Sequence, residues 1–278
     1  MRLRVTTLTE NTTTRAGTLA EHGLCMLLEV DNLRLLLDTG QSGTAVHNAR
    51  VLGVDLSRVA HLVLSHGHQD HTGGLRDVLA QTRELKVYAH PEVWRPRYAV
   101  RRGERIRYSG LPFVREQLEA MGAAFHFSDG PATIAPNVMT TGYVPRRTGF
   151  ERLDTDLKVR TPGGWGQDEI PDDQALLVKT PRGLVVLLGC AHSGIVNTLL
   201  RARDVAGEER IFAVLGGTHL GFSTPEQLER TVAALKELSI EKLGVSHCTG
   251  LAAGAVLARE FGERFFYNNV GTVTEWEF

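Results

Sequence analysis

The sequence contains no run of about 18 consecutive apolar residues, the least that crosses a bilayer as a helix, so a membrane-spanning protein is not expected. It has no excess of either charge: 31 Lys and Arg stand against 32 Asp and Glu, for a formal net charge of -1. That balance removes the electrostatic case for bulk nucleic-acid or membrane-surface binding. Cysteine is scarce. Cys25, Cys190 and Cys248 are the 3 present in 278 residues; they lie far apart, and their odd number argues against a disulfide framework. The segment Met1 to Leu8 reads as a strand rather than the apolar core of a secretion signal, so reduced thiols and a cytoplasmic protein are expected. No repeat of about 20–50 residues points to a solenoid.

What is present suits one large core. With 42% hydrophobic residues, 1–278 is expected to form a single domain. Leu24 to Asp38 reads as a hairpin turning at Asp31-Asn32, followed by a helix over Ala45 to Leu52 and a strand over His61 to Leu64. A second hairpin, Ala175 to Lys179 and Leu184 to Leu188, precedes alternating helices and strands. Thr224-Pro225-Glu226 marks a helix start, with Thr as cap and Pro at the first position. Hairpin first, then strand–helix alternation, occurs in each half. This predicts an α+β fold, an αββα sandwich of two mixed β-sheets with outer helices. Residues from about 92 to 172, rich in Arg, Gly and Pro, read as elaborations over one end of the core, with an open loop at Gly163-Gly164-Trp165-Gly166.

The chemistry concentrates in His66-Gly67-His68-Gln69-Asp70-His71, which follows the apolar strand and precedes Thr72-Gly73-Gly74. Neutral imidazole nitrogen and carboxylate oxygen suit zinc or a similar first-row ion. His66 and His68 alternate on extended chain, so both face one ion; Asp70 and His71 lie beyond the bend and serve a second. Three further segments follow apolar strands and precede helices: Gly189-Cys190-Ala191-His192-Ser193-Gly194, Gly216-Gly217-Thr218-His219-Leu220 and Ser246-His247-Cys248-Thr249-Gly250. Strand C-terminal ends are where α/β proteins gather sites. His192 is read as a ligand or a helix cap, His247 as a ligand or a cap, and Cys190 as a ligand or a small buried residue. His219 is a ligand, a hydrogen-bond donor to a ligand, or a substrate contact. Cys248 is read as packing, His22 as a hydrogen-bonded structural residue or one that reaches the site from the first hairpin, Asp38 as orienting a ligand His or the loop, and Asp172 and Asp173 as turn residues. Arg95, Arg97, Arg101, Arg102, Arg105 and Arg107 cluster with Tyr98 and Tyr108, and Arg146 and Arg147 form a second pair. They make either a solvated loop or homodimer contact, or an anion clamp that selects an anionic small molecule.

The set Asp38, His66, His68, Asp70 and His71 resembles the H-x-H-x-D-H signature and early strand-end Asp of the metallo-β-lactamase fold superfamily, over nearly the whole chain. Glu21-His22-Gly23-Leu24, Ser65 to Leu75, Gly189 to Ile195, Gly216 to Leu220 and His247 to Gly250 are similar to a narrower subgroup. Its named members are dihydropterin–ribofuranosylaminobenzene phosphate synthases. The resemblance implies two divalent ions, zinc with iron or manganese as alternatives, and a hydrolase that uses a metal-bound hydroxide. Asp70 would hold an ion and accept a hydrogen bond from that hydroxide, and Tyr143 or His219 would donate to the oxyanion. Two alternatives remain: a pterin-type condensing enzyme and a non-catalytic metal-dependent ligand-binding protein. The chain departs from the superfamily at Tyr143, which stands where a third His is usual, and at Gly189-Cys190, where a bridging Asp is usual. Either Cys190 is a thiolate ligand or His192 replaces the lost His; His247 matches the last superfamily His.

Overall fold

A computed structural model describes residues 1–101 and 103–278; Arg102 of the arginine run lies outside them. Two seven-stranded sheets stack face to face. The first runs, in spatial order, Val273–Glu277, Arg2–Thr9, Cys25–Val30, Leu33–Leu37, His61–Val63, Leu85–Ala89, Ala123–Phe127. The second runs Phe265–Tyr267, Lys242–Ser246, Ile211–Gly217, Gly183–Leu188, Ala175–Thr180, Val138–Thr140, Thr133–Ala135. Each is antiparallel around its hairpin and parallel beyond it, so both are mixed sheets.

Period-two alternation explains the layering. In Gly183–Leu188, Val185 and Leu187 enter the core between the sheets, while Leu184, Val186 and Leu188 pack under helices. In Leu33–Leu37, Leu35 and Leu37 face the shared core and Leu36 faces outward. A strand apolar on both sides must be covered on both, which gives helix, sheet, sheet, helix. Ile195–Ala206, Pro225–Glu237 and Gly250–Phe261 cover the second sheet; Thr44–Val51 and Leu75–Leu79 cover the first. Thr224 caps its helix by accepting from the Gln227 N–H, with Pro225 at the first position, as the sequence suggests.

The middle of the chain is more regular than its composition suggests. Gly164–Gln167, Leu157–Thr161, Arg97–Ala99 and Arg107–Tyr108 form a third, antiparallel sheet of four strands. The expected open loop at Gly163–Gly166 is instead the turn and start of one of these strands. Trp165 stabilises it by packing against Tyr98, ring centroids 5.1 Å apart, under the Arg160 guanidinium at 3.6 Å. Phe265–Tyr267, three aromatic residues, and Val273–Glu277, which has no apolar run, are short strands at the sheet edges. No described helix is long and apolar enough to cross a membrane.

Candidate metal centre

The strands His61–Val63, Gly183–Leu188, Ile211–Gly217 and Lys242–Ser246 end on the same side of the sandwich, and their following loops meet over one cleft. The backbone there is strained. Asp38, Ala191, His219 and His247 all have φ between 53° and 60°, a left-handed region that costs a non-glycine residue about 1 kcal/mol or more. The loop at Gly67 is pressed so closely that a side chain would collide with the Val93 carbonyl oxygen and the Arg97 guanidinium. At Gly189, one would collide with Ser65.

Three ring nitrogens converge first. His66 Nε2 lies 2.9 Å from His68 Nδ1, and His192 Nε2 lies 3.2 Å from each. Zinc–nitrogen bonds of about 2.0–2.1 Å in a tetrahedron set neighbouring nitrogens about 3.3 Å apart, so the triangle fits one ion. His192 thus stands where the sequence left a choice between cap and ligand. A second set lies beside it. His71 Nε2 is 3.2 Å from His247 Nε2, 3.1 Å from Cys190 Sγ and 3.8 Å from Asp70 Oδ2, and His247 Nε2 is 3.3 Å from that same oxygen. Cys190 Sγ approaches donors of both sets: it groups with His66 and His71, and also with His192 and His219. Imidazole, thiol and carboxylate donors within reach of one another make a zinc-type donor set.

Outer hydrogen bonds fix which nitrogens face inward. Asp38 is fully buried and accepts from Ser65 N and Ser65 Oγ, both at 2.7 Å, and from His71 Nδ1 at 2.6 Å. Because the Ser65 hydroxyl donates to Asp38, His66 Nδ1 donates to Ser65 Oγ at 2.9 Å, leaving His66 Nε2 free. His247 Nδ1 is 2.9 Å from Asn11 Oδ1. Arg146 donates to the His192 carbonyl at 2.8 Å, and Asp173 accepts from Ser193 N at 2.7 Å, which pins the 190–194 loop. Asp172, expected in a turn role, is buried beneath the first loop: its Oδ2 accepts from Gly67 N at 2.7 Å and from Arg97 Nη1 at 2.8 Å.

Electrostatics separate the imidazoles. Burial and neighbouring imidazoles hold His66 and His192 well below the ordinary histidine value. Burial, opposed by Asp70 and helped by Arg97, pushes His68 down to about 3. Burial also opposes the charge on His71, but Asp38 and Asp70 outweigh it and raise His71 to about 9. Burial pushes the Cys190 thiol up. Asp70, despite burial, is held well below the carboxylate range by His71 and by contacts from His22 and His247.

The cleft above these groups is lined by His22, His68, Asp70, Cys190, His192, His219, His247 and Cys248 on one side. The third sheet and its loops bring Arg101, Arg107, Tyr108, Asp154 and Asp156 to it, and Phe222 sits at its edge. His219 packs against His192, ring centroids 4.3 Å apart and planes tilted by 54°, with Nε2 3.6 Å from Asp154 Oδ2. Burial lowers its basicity, but Asp154 and Cys248 raise it to about 9. The arginines divide by role. Arg97 is fully buried in ion pairs with Asp168 and Asp172, Arg95 pairs with Glu92, and Arg147 with Asp204. Arg101, which pairs with Asp156 at 3.3 Å, and Arg107 face the cleft, while Arg105 lines an adjoining cavity that shares both of them.

One expectation needs correction. Tyr143 does not reach the cleft. Gly142, at φ 57°, turns the chain, Tyr143 N donates to the Asp129 carbonyl at 2.8 Å, and the ring faces a separate cavity with His90, Asp129 and Arg201. Of the two readings of His22, the structure brings it to the cleft: its Nε2 is 3.2 Å from Asp70 Oδ2. Asn11 and Asp154, which also meet the cluster, lie in polar segments that carry no local signal, whereas Ser65 ends the apolar strand just before the His66–His71 run.

Residues 19–167 match the family described as the metallo-beta-lactamase superfamily. The chain is 29% identical over 266 residues to the 7,8-dihydropterin-6-methyl-4-(beta-D-ribofuranosyl)-aminobenzene-5'-phosphate synthase of Methanocaldococcus jannaschii, covering 92% of this chain and 90% of that protein. It is 30% identical over 255 residues to an uncharacterized protein of the same archaeon, covering 91% and 93%. Among solved structures, Tm1679, a metal-dependent hydrolase of the beta-lactamase superfamily, superposes with a TM-score of 0.83 at 30% identity over 99% of each chain. By sequence, by fold and by the placement of its histidines, the chain belongs to the metallo-beta-lactamase superfamily.

Proposed function

We propose that the protein is a dinuclear metal-dependent hydrolase of a small anionic substrate. One observation carries the reading: two donor sets share Cys190 Sγ at the floor of a cleft whose facing wall presents Arg101 and Arg107. His66, His68 and His192 would hold one ion; Asp70, His71, His247 and Cys190 would hold the other, and the mixed nitrogen, sulfur and oxygen donors suit zinc best. When bound, such a pair supplies a water made acidic near neutral pH and a Lewis acid for a carbonyl or phosphoryl oxygen. Asp70 would accept a hydrogen bond from that water. His219, kept protonated by Asp154, donates toward the charge that builds on the substrate oxygen. Arg101 and Arg107 bind the substrate's anionic group as guanidinium forks. Tyr108 and Phe222 supply apolar surface that narrows water's access.

The test is metal removal followed by replacement, with 4-nitrophenyl phosphate, bis(4-nitrophenyl) phosphate and 4-nitrophenyl acetate as probes. Turnover of at least one probe is expected to vanish on chelation and return with zinc. His68→Ala and Asp70→Ala are expected to lose both bound metal and turnover, and His219→Ala to lose about 10²–10³ in kcat with metal retained. Full turnover in verified metal-free protein would defeat the reading.

A second reading, a pterin-type condensing enzyme, draws on the named synthase relative, which spans nearly the whole chain. Here the metals would assist departure of a phosphate or pyrophosphate group held by the arginines, and Tyr108 and Phe222 would flank a planar ring. Product formed from a pyrophosphorylated dihydropterin donor and an aminobenzene riboside phosphate, without net hydrolysis of the probes above, would favour it.

A further inference from the structure

Three ring nitrogens approach one carboxylate oxygen. Asp70 Oδ2 lies 3.2 Å from His22 Nε2, 3.3 Å from His247 Nε2 and 3.8 Å from His71 Nε2. By distance alone His22 is as well placed to bind an ion beside Asp70 as His247 is, and the His22 and His247 rings lie 5.0 Å apart. What separates the two is Asn11, in the loop that follows the first strand. Asn11 Oδ1 is 2.9 Å from His247 Nδ1, and Asn11 Nδ2 is 3.4 Å from His22 Nδ1.

A primary amide accepts at one end and donates at the other. Its accepting end requires a proton on His247 Nδ1, which leaves a lone pair on His247 Nε2. Its donating end requires a lone pair on His22 Nδ1, which puts that ring's proton on Nε2, aimed at Asp70 Oδ2. The Gly23 peptide N–H also donates to Asn11 Oδ1, at 3.4 Å, and favours this orientation of the amide. Glu10 holds the other side of the arrangement in register: its Oε2 accepts from the His247 peptide N–H at 3.0 Å.

We propose that Asn11 is a positioning residue of the second ion site: through a single amide it makes His247 a ligand and His22 a hydrogen-bond donor that steadies Asp70. The ion itself rests on the functional reading above; the tautomers do not. Partners that orient a ligand imidazole are worth roughly 10- to 100-fold in metal affinity. Replacing Asn11 therefore acts on the second ion and leaves the His66, His68 and His192 triangle intact.

Imidazole nitrogen NMR of the metal-free protein reads the tautomers directly. A proton on Nδ1 of His247 and on Nε2 of His22 is expected, and the opposite tautomer on either ring would overturn the proposal. Metal competition and cobalt absorption then test the consequence. His22→Ala is expected to keep the wild-type number of ions and the cobalt spectrum while weakening the second ion about tenfold. Asn11→Asp accepts at both ends, moves the His22 proton to Nδ1 and frees its Nε2 to ligate. Its cobalt spectrum should differ from wild type, and the difference should disappear in the Asn11→Asp, His22→Ala double variant. Loss of one ion in His22→Ala, or identical spectra for Asn11→Asp and the double variant, would sink it. If every variant bound no ion, the functional reading would fail, while the tautomers would still be decided by NMR.

Discussion

At Asp38 one buried carboxylate serves both donor sets, directly at His71 Nδ1 and through the Ser65 hydroxyl at His66 Nδ1. Both donor sets are thus oriented from one point, and the left-handed backbone at Asp38 is the strain that places its carboxylate there. Asp173 is different in kind. It too is buried, but it faces the Ser193 N–H and no imidazole, and burial raises it to about 6. The sign follows from linkage. Between the unfolded aspartate value of about 3.9 and the folded value, the unfolded chain releases a proton that the folded chain keeps. Stability therefore falls as pH rises through that window, and above about pH 6 the folded protein carries a constant penalty on the order of 3 kcal/mol. Asp173→Asn still accepts from Ser193 and cannot ionise. It should melt above wild type at pH 8, with the advantage gone near pH 4, in thermal unfolding of both proteins across that range. Equal melting temperatures at pH 8 would show that Asp173 is not ionised against a burial penalty.

Among the elements, the short strand Arg97–Ala99 fastens the third sheet to the metal loop. Arg97 donates from Nε to Asp168 at 2.9 Å and from Nη1 to Asp172 at 2.8 Å, and Asp172 in turn accepts from Gly67 N. The wall that carries Arg101, Arg107 and Tyr108 is thereby tied to the His66–His71 loop. Removing the guanidinium leaves two buried carboxylates unpaired, which costs about 3–5 kcal/mol. Arg97→Met should lower the unfolding free energy measured in a urea titration by that amount and weaken binding of the first ion. A loss under about 1 kcal/mol would mean that the pair is not structurally coupled to the loop. The same element marks what the sequence conceals. Leu184 to Leu188 announces a buried strand because both its faces are covered, and the six residues from His66 to His71 announce a site because they end such a strand. Arg97–Ala99 has no apolar run. Its burial depends on acids 71 and 75 positions away, so composition reads it as part of a solvated arginine loop. Asn11 is hidden for a related reason: it lies in a polar loop after the first strand, and only the pairing of the first strands brings it to His247. Tyr143 failed in the opposite direction. A loop matched by resemblance is turned outward by one glycine.

Across the whole molecule, the donors divide between the two sheets. His66, His68, Asp70 and His71 follow a strand of the first; Cys190, His192 and His247 follow strands of the second. Each proposed ion would therefore join loops from opposite halves of the sandwich, at the end where the shared core of Val63, Leu187 and Leu215 stops. Without cations, this end holds imidazoles crowded to 2.9–3.2 Å, and one of them, His71, is raised to about 9 by its carboxylates. Binding to the folded chain alone stabilises it by mass action, about 4 kcal/mol per site at a free ion concentration 1,000-fold above Kd. At roughly 2–4 °C per kcal/mol in a chain of this size, one site should raise the melting temperature by about 8–16 °C. Calorimetry before and after chelation should recover that difference, with zinc restoring it and magnesium failing to, since magnesium demands oxygen ligands. Amide exchange should quicken in both the 66–71 and 190–194 loops together on metal removal, because neither can hold the site alone. A melting temperature unchanged by verified metal loss, or faster exchange in one loop only, would mean that the ions do not bridge the two halves.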